Sequence, residues 1–168
     1  MAEPSTSVFL VDAYADPVVV RIAGRASFLN SGGLKDFLAR MIKEGKRRFV
    51  VDFRQCASMD STFLGVLAGA AIELRRQDPS GQLTLARVGE RNLELIRNLG
   101  LHRLAIVDPG TQSADPMGYG QALTNQARTE VDNARLMLEA HENLVATDPA
   151  NAAKFQDVLI FLKARLGS

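Results

Sequence analysis

Short apolar runs and stripes at helical spacing alternate along the first two thirds of the chain, and helical stripes alone follow. The organising run is Phe49-Val50-Val51-Asp52-Phe53, bounded sharply by Lys46-Arg47-Arg48. It is short, β-branched and aromatic, which predicts a buried strand over 48–53. After a few small and polar residues come Asp60-Ser61-Thr62, all good N-cap types, directly before Phe63-Leu64-Gly65-Val66-Leu67. A strand therefore runs into a helix over about 61–77 whose first turn displays two hydroxyls and a carboxylate. Leu64, Leu67, Ala68, Ala71 and Leu74 line one face of that helix, and Gly65 and Gly69 keep it slim.

The flanking segments extend the pattern. Val8–Val11 and Val18–Ile22 predict two strands, close enough in sequence for an antiparallel hairpin. Asn30-Ser31-Gly32-Gly33 reads as a breaker, with Asn30 or Ser31 capping a helix through Leu34, Phe37, Leu38, Met41 and Ile42. Leu83–Val88 predicts a fourth strand, and Leu93, Ile96, Arg97 and Leu99 a third helix closed by Gly100. Leu104–Val107 is a last strand. The order ββαβαβαβ predicts an α/β fold, a single mixed sheet of about five strands with three helices. Three helices do not cover both faces of such a sheet evenly, so an open layer is expected.

Residues 109–119, with Pro109, Pro116 and several glycines, read as a linker between an α/β domain over 8–108 and a helical hairpin over 120–166. In the hairpin Ala127, Val131, Ala134, Leu138, His141 and Val145 form a heptad-like stripe. Asp148-Pro149 caps a second helix lined by Phe155, Val158, Leu159, Leu162 and Leu166. Two such stripes pack on the α/β core or on the hairpin of a second copy, giving a homodimer.

Composition narrows the function classes. The 168 residues are 46% hydrophobic and 23% charged, as in an ordinary globular chain. No apolar run is long enough to cross a bilayer, and Met1–Ser7 lacks the features of a signal peptide, so a cytoplasmic location is expected. Residues 1–110 hold 15 basic against 12 acidic side chains, and 111–168 hold 5 against 7. Those imbalances are too small for nucleic-acid binding by bulk charge, which leaves proteins as the expected partners. One cysteine, Cys56, and two histidines exclude an internal disulfide and a metal-ligand cluster.

Catalytic chemistry finds little support. Ser61 is outside any Gly-x-Ser-x-Gly elbow, and its candidate bases are His102, at the start of a strand, and His141, on a helical stripe. Neither placement suggests a triad. Phosphate-cradling glycine motifs are absent, so no cofactor is expected. Asp52 is read as ending a strand, and Asp60 as complementing a helix dipole. Cys56, in a loop near Arg54, is a small semi-apolar side chain with some scope for reactivity. Ser61 is either a plain N-cap or a phosphorylation switch, a phosphate there adding nearly two negative charges beside Asp60.

The stretch Met59-Asp60-Ser61-Thr62-Phe63-Leu64-Gly65-Val66-Leu67 resembles the turn of the STAS family of anti-sigma factor antagonists. Ile22-Ala23-Gly24 is similar to that family's strand-two ending, and Gly100-Leu101-His102-Arg103-Leu104 to its step into the last strand. The likeness covers about residues 8–108. It departs at Phe63, where the family often has glycine, and at Ala26-Ser27, where it often has Leu-Asp. The hairpin lies outside the family's minimal domain.

The resemblance implies a non-enzymatic signalling protein with neither cofactor nor metal. Ser61, with Thr62 as a second acceptor, would be phosphorylated by an anti-sigma factor that is also a serine kinase, and reset by a PP2C-type phosphatase. Met59, Asp60, Ser61, Thr62, Phe63 and Ser27 would form the partner-binding surface. Unmodified, the protein would bind the kinase and free a sigma factor to act in transcription. A STAS scaffold or accessory subunit, in a stressosome or beside a lipid ABC transporter, is the main alternative and would bind constitutively. A small-molecule-binding enzyme is the remote one.

Overall fold

A computed structural model describes residues 8–108, 120–124 and 126–167. The expected linker, 109–119, lies outside the described residues. The elements run β1 (Phe9–Asp12), β2 (Val18–Ala26), α1 (Phe28–Lys43), β3 (Arg48–Met59), α2 (Ser61–Arg76), β4 (Gln82–Ala86), α3 (Glu90–Asn98) and a 3-10 turn (Leu101–Arg103). Then follow β5 (Ile106–Val107), β6 (Gln121–Ala122), α4 (Glu130–Thr147), α5 (Asn151–Lys154) and α6 (Gln156–Leu166).

The fold is the expected α/β one, with six strands among the described residues in the order β5-β4-β3-β2-β1-β6. The strand beyond the expected five is β6, which pairs antiparallel with β1 just ahead of the C-terminal helices. β1 and β2 form the expected antiparallel pair, and β2, β3, β4 and β5 run parallel. Phe9, Val11, Val18, Val20, Ile22, Phe49, Val51, Phe53, Leu83 and Leu85 alternate along the strands and are buried. They meet Leu34, Phe37, Leu38 and Met41 of α1 and Leu64, Leu67, Ala71 and Leu74 of α2. One sheet face thus carries the core, the alternation that a half-buried sheet requires.

Three local expectations change. β3 is twelve residues long rather than ending at Phe53, because its second half pairs with Gly24, Arg25 and Ala26 across two register shifts. Cys56 is therefore in a strand, not a loop. α1 starts at Phe28, capped by Ser27, whose amide donates to Asn30 Oδ1 at 2.9 Å. Gly32 and Gly33 sit inside that helix instead of breaking it, and a Cβ at Gly32 would overlap the Arg128 guanidinium laid over it. In the second arm, Asp148 and Pro149 form a turn ahead of α5, the Asp148 side chain accepting from Ala150 N at 3.0 Å. The helix beyond is broken into α5 and α6.

The C-terminal helices pack on the chain's own core. Leu136 and Leu144 of α4 join the core, and Ala140 is buried beside α2. The expected stripe is only half right: Ala134 and His141 are buried, Leu138 and Val145 partly, and Val131 is exposed. Asn151 ties the turn after α4 to α3, donating to Leu144 O at 2.7 Å and Leu99 O at 2.9 Å. Lys35–Glu139 at 2.6 Å and Arg128–Asp36 at 2.9 Å add ion pairs to α1, of the exposed kind that contributes little.

Asp52 does not end its strand. It lies mid-β3, buried, paired through both oxygens with Arg87, and Arg21 approaches at 3.9 Å. Removing one partner of a buried pair costs more than the pair contributes. Arg87→Met is expected to lower unfolding free energy in urea by about 3 kcal/mol. Asp52→Asn added to Arg87→Met should recover part of that loss.

Candidate functional site

The C-terminal ends of β2 and β3 deliver the chain to two helix N-termini side by side. Asp60 joins them. Its Oδ1 accepts from Phe63 N at 2.9 Å, capping α2, and its Oδ2 accepts from Phe28 N at 2.8 Å, in the first turn of α1. Asp60 N donates to Ala26 O at 3.1 Å, holding the two crossovers together. An N-cap carboxylate satisfies orphan amides and complements the helix dipole, here at two helices at once.

Because Asp60 is the cap, Ser61 is not. Ser61 is the first residue of α2, half-buried, with its hydroxyl free of capping duty. That hydroxyl meets His141 Nε2 at 2.9 Å. The other ring nitrogen, Nδ1, lies 2.6 Å from Met137 O. A carbonyl only accepts, so Nδ1 carries a proton; with the ring neutral, Nε2 is then an acceptor to which Ser61 donates. His141 is 3% exposed and stacks edge-on against Phe155 at 4.8 Å.

The remaining expected site residues separate. Met59 is half-buried against the core. Phe63 is core, stacked on Phe9 at 5.9 Å and edge-on to Phe53 at 6.2 Å. Thr62 is buried too, so neither Thr62 nor Phe63 offers side-chain surface to a partner. Phe63 lies on the helix face turned to the sheet. Ser27 is buried and spent as the α1 cap, its Oγ accepting from Leu29 N at 3.2 Å. His102 is exposed on the 3-10 turn.

Of the two imidazoles the sequence offers Ser61, His141 is the one that reaches it, although its helical stripe suggests no such role. Its place on an apolar stripe was nonetheless a signal, since a buried imidazole needs polar partners. Ser61 and His141 stand as a hydroxyl and its acceptor, yet Nδ1 rests on a carbonyl rather than a carboxylate. A carbonyl stabilises an imidazolium less than the carboxylate of a triad does.

Close backbone approach holds α4 over this site. A Cβ at Gly65 would overlap the Ala140 carbonyl, and Asn143 Nδ2 donates to Gly65 O at 3.2 Å. Gly65→Ala would ordinarily gain about 1 kcal/mol of helix propensity. Here the clash is with backbone, so a net loss of about 1–3 kcal/mol is expected in denaturant unfolding. Cys56 is held in the opposite of an activating environment: burial pushes its thiol up to about 11. Alkylation of the native protein at pH 8 should therefore be slow, speeding up as pH rises toward that value, whereas the unfolded chain should react readily.

The chain matches the family described as "Mlab, STAS domain" over residues 9–108. The anti-sigma factor antagonist SpoIIAA in its unphosphorylated form is similar in structure, with a TM-score of 0.51 and 17% identity, covering 64% of this chain and 89% of that one. The Bacillus cell fate determinant SpoIIAA in its phosphorylated form gives a TM-score of 0.50 at 19% identity, over 59% of this chain and 89% of that one. No curated protein matches the chain. Those identities carry the fold, while the family match covers the whole α/β portion with the Ser61 turn inside it; the chain belongs to the STAS-domain family.

Proposed function

We propose that the protein is a non-enzymatic signalling module, an anti-sigma factor antagonist that binds an anti-sigma factor with serine kinase activity. Phosphorylation at Ser61 switches that binding off, and a PP2C-type phosphatase restores it. The observation that supports this most is the division of labour at the turn: Asp60 takes the capping bonds, so the half-exposed Ser61 at the start of α2 is not needed as a cap. Met59, Asp60 and Ser61 are the partly exposed residues of the turn, and they form the docking surface in this reading. A phosphate there would carry nearly two negative charges into a surface that already holds Asp60. Going from mostly bound to mostly free takes about 5 kcal/mol of differential affinity, within reach of a buried unpaired phosphate. The protein acts in the cytoplasm and needs no cofactor.

A second reading has its own support. The matched family is described by the Mlab type of STAS domain, and the Ser61 hydroxyl is already bonded to His141. Both favour a STAS accessory subunit, as beside a lipid ABC transporter, whose partner binds irrespective of Ser61. A homodimer through the C-terminal helices would have to use the exposed Ile160 and Phe161, because Leu136, Ala140 and Leu144 face the chain's own core.

Intact mass and peptide mapping of protein from its native cell separate the two. The switch reading expects a phosphoryl group on Ser61 under some growth or stress condition, and loss of the kinase from pull-downs with Ser61→Asp. Unmodified Ser61 under all conditions, with a partner retained by Ser61→Asp, would favour the accessory subunit.

A further inference from the structure

The geometry points to Ser61 as a latch on the chain's own C-terminal helices: its free hydroxyl holds α4 on α2 through His141, and a phosphate there releases α4. This deepens the switch reading and rests on it for the event that supplies the phosphate. In that event Oγ takes the γ-phosphoryl group of ATP held by the partner kinase, the bond to ADP breaks and ADP leaves with its electron pair, and the hydroxyl proton passes to a base of the kinase and on to water.

Two features make the released state follow. The first is polarity. Met137 O fixes the proton on Nδ1, so Nε2 faces Ser61 with a lone pair. The hydroxyl suits that lone pair as a donor. Phosphorylation removes the donor and puts acceptor oxygens in its place, which a neutral ring cannot meet and only a ring that takes up a proton could. The second is space. Oγ and Nε2 are 2.9 Å apart, and the imidazole is buried between Ser61 and Phe155. No phosphorus atom with its oxygens fits that gap.

α4 has no small adjustment available. Gly65 lies against the Ala140 backbone, Gly69 against the Asn143 side chain, and Asn143 is bonded to Gly65 O. Packed interfaces of this kind have discrete arrangements rather than a continuous slide. Asn151 bonds to Leu144 O in α4 as well as to Leu99 O, so displacement of α4 carries the α5 turn with it. The two states then offer a protein partner different faces of α2. With α4 docked the Gly65–Gly69 side is covered; with α4 released it is open.

The test uses the full-length chain with phosphoserine placed at position 61 during translation, compared with the unmodified chain by amide hydrogen exchange. The latch predicts exchange about tenfold or more faster across α4, with β3 unchanged. Unchanged α4 protection overturns it, because Ser61 would then have turned its phosphate to solvent. Equal acceleration of α4 and β3 overturns it as well, since the effect would be global unfolding. In His141→Ala the missing ring leaves room for the phosphate, so its effect on α4 should shrink to about threefold or less, with β3 protection reporting that the core is intact. A full-sized effect in His141→Ala would remove His141 from the latch. The phosphate is installed, so these outcomes do not depend on any native kinase. Unmodified Ser61 in the native cell would count against the proposed function and leave the latch standing.

Discussion

One carboxylate holds the Ser61 end of this protein's sheet together. Asp60 accepts the amide of Phe28 and the amide of Phe63, so the N-termini of α1 and α2 are fixed to each other through a single side chain. The backbone adds Asp60 N to Ala26 O. Two parallel strands, β2 and β3, are thereby made to hand over to their helices at the same level. That alignment sets where Ser61 lies. It also frees the serine, since a hydroxyl at the cap position would have been consumed by an orphan amide.

The second constraint is the closeness of α2 and α4. Gly65 removes the side chain that would keep them apart, and the carbonyl of Ala140 fills the space. Without that approach His141 would not reach Ser61. The STAS portion and the C-terminal helices are thus coupled at Ser61, through an imidazole whose other nitrogen is held one helical turn away at Met137 O. A module built on an α/β core has in this way acquired an internal occupant for the surface beside Ser61.

The middle of β3 shows a different use of charge. Asp52 is buried and Arg87 partly buried against it, with Arg21 at the edge of contact. Such a pair contributes little net stability but penalises every arrangement that separates it, which favours one register of β3 against β2 and β4. Arg21 and Asp52 are register partners, as are Asp52 and Ala86 immediately before Arg87.

Much of this was legible in the residues. Phe49–Phe53 announces a buried strand, Asp60-Ser61-Thr62 a helix start, and Leu64, Leu67, Ala71 and Leu74 its inward face, because periodicity and capping are local properties of the chain. Gly100 closes α3 with φ 83°, as a residue without Cβ permits. Where expectation failed, the deciding partner was distant in sequence. Gly32 and Gly33 look like breakers until Arg128 is laid over the helix that contains them. β3 runs on to Met59 because β2 supplies hydrogen-bonding partners through Ala26. The sequence by itself determined the element types, the core faces and the hydroxyl-bearing turn, all set by neighbours within a few residues. Only the tertiary structure decided that Asp60 caps two helices, that Asp52 pairs with Arg87, and that His141 receives the Ser61 hydroxyl. Each of these joins side chains or amides that only packing brings within hydrogen-bonding distance.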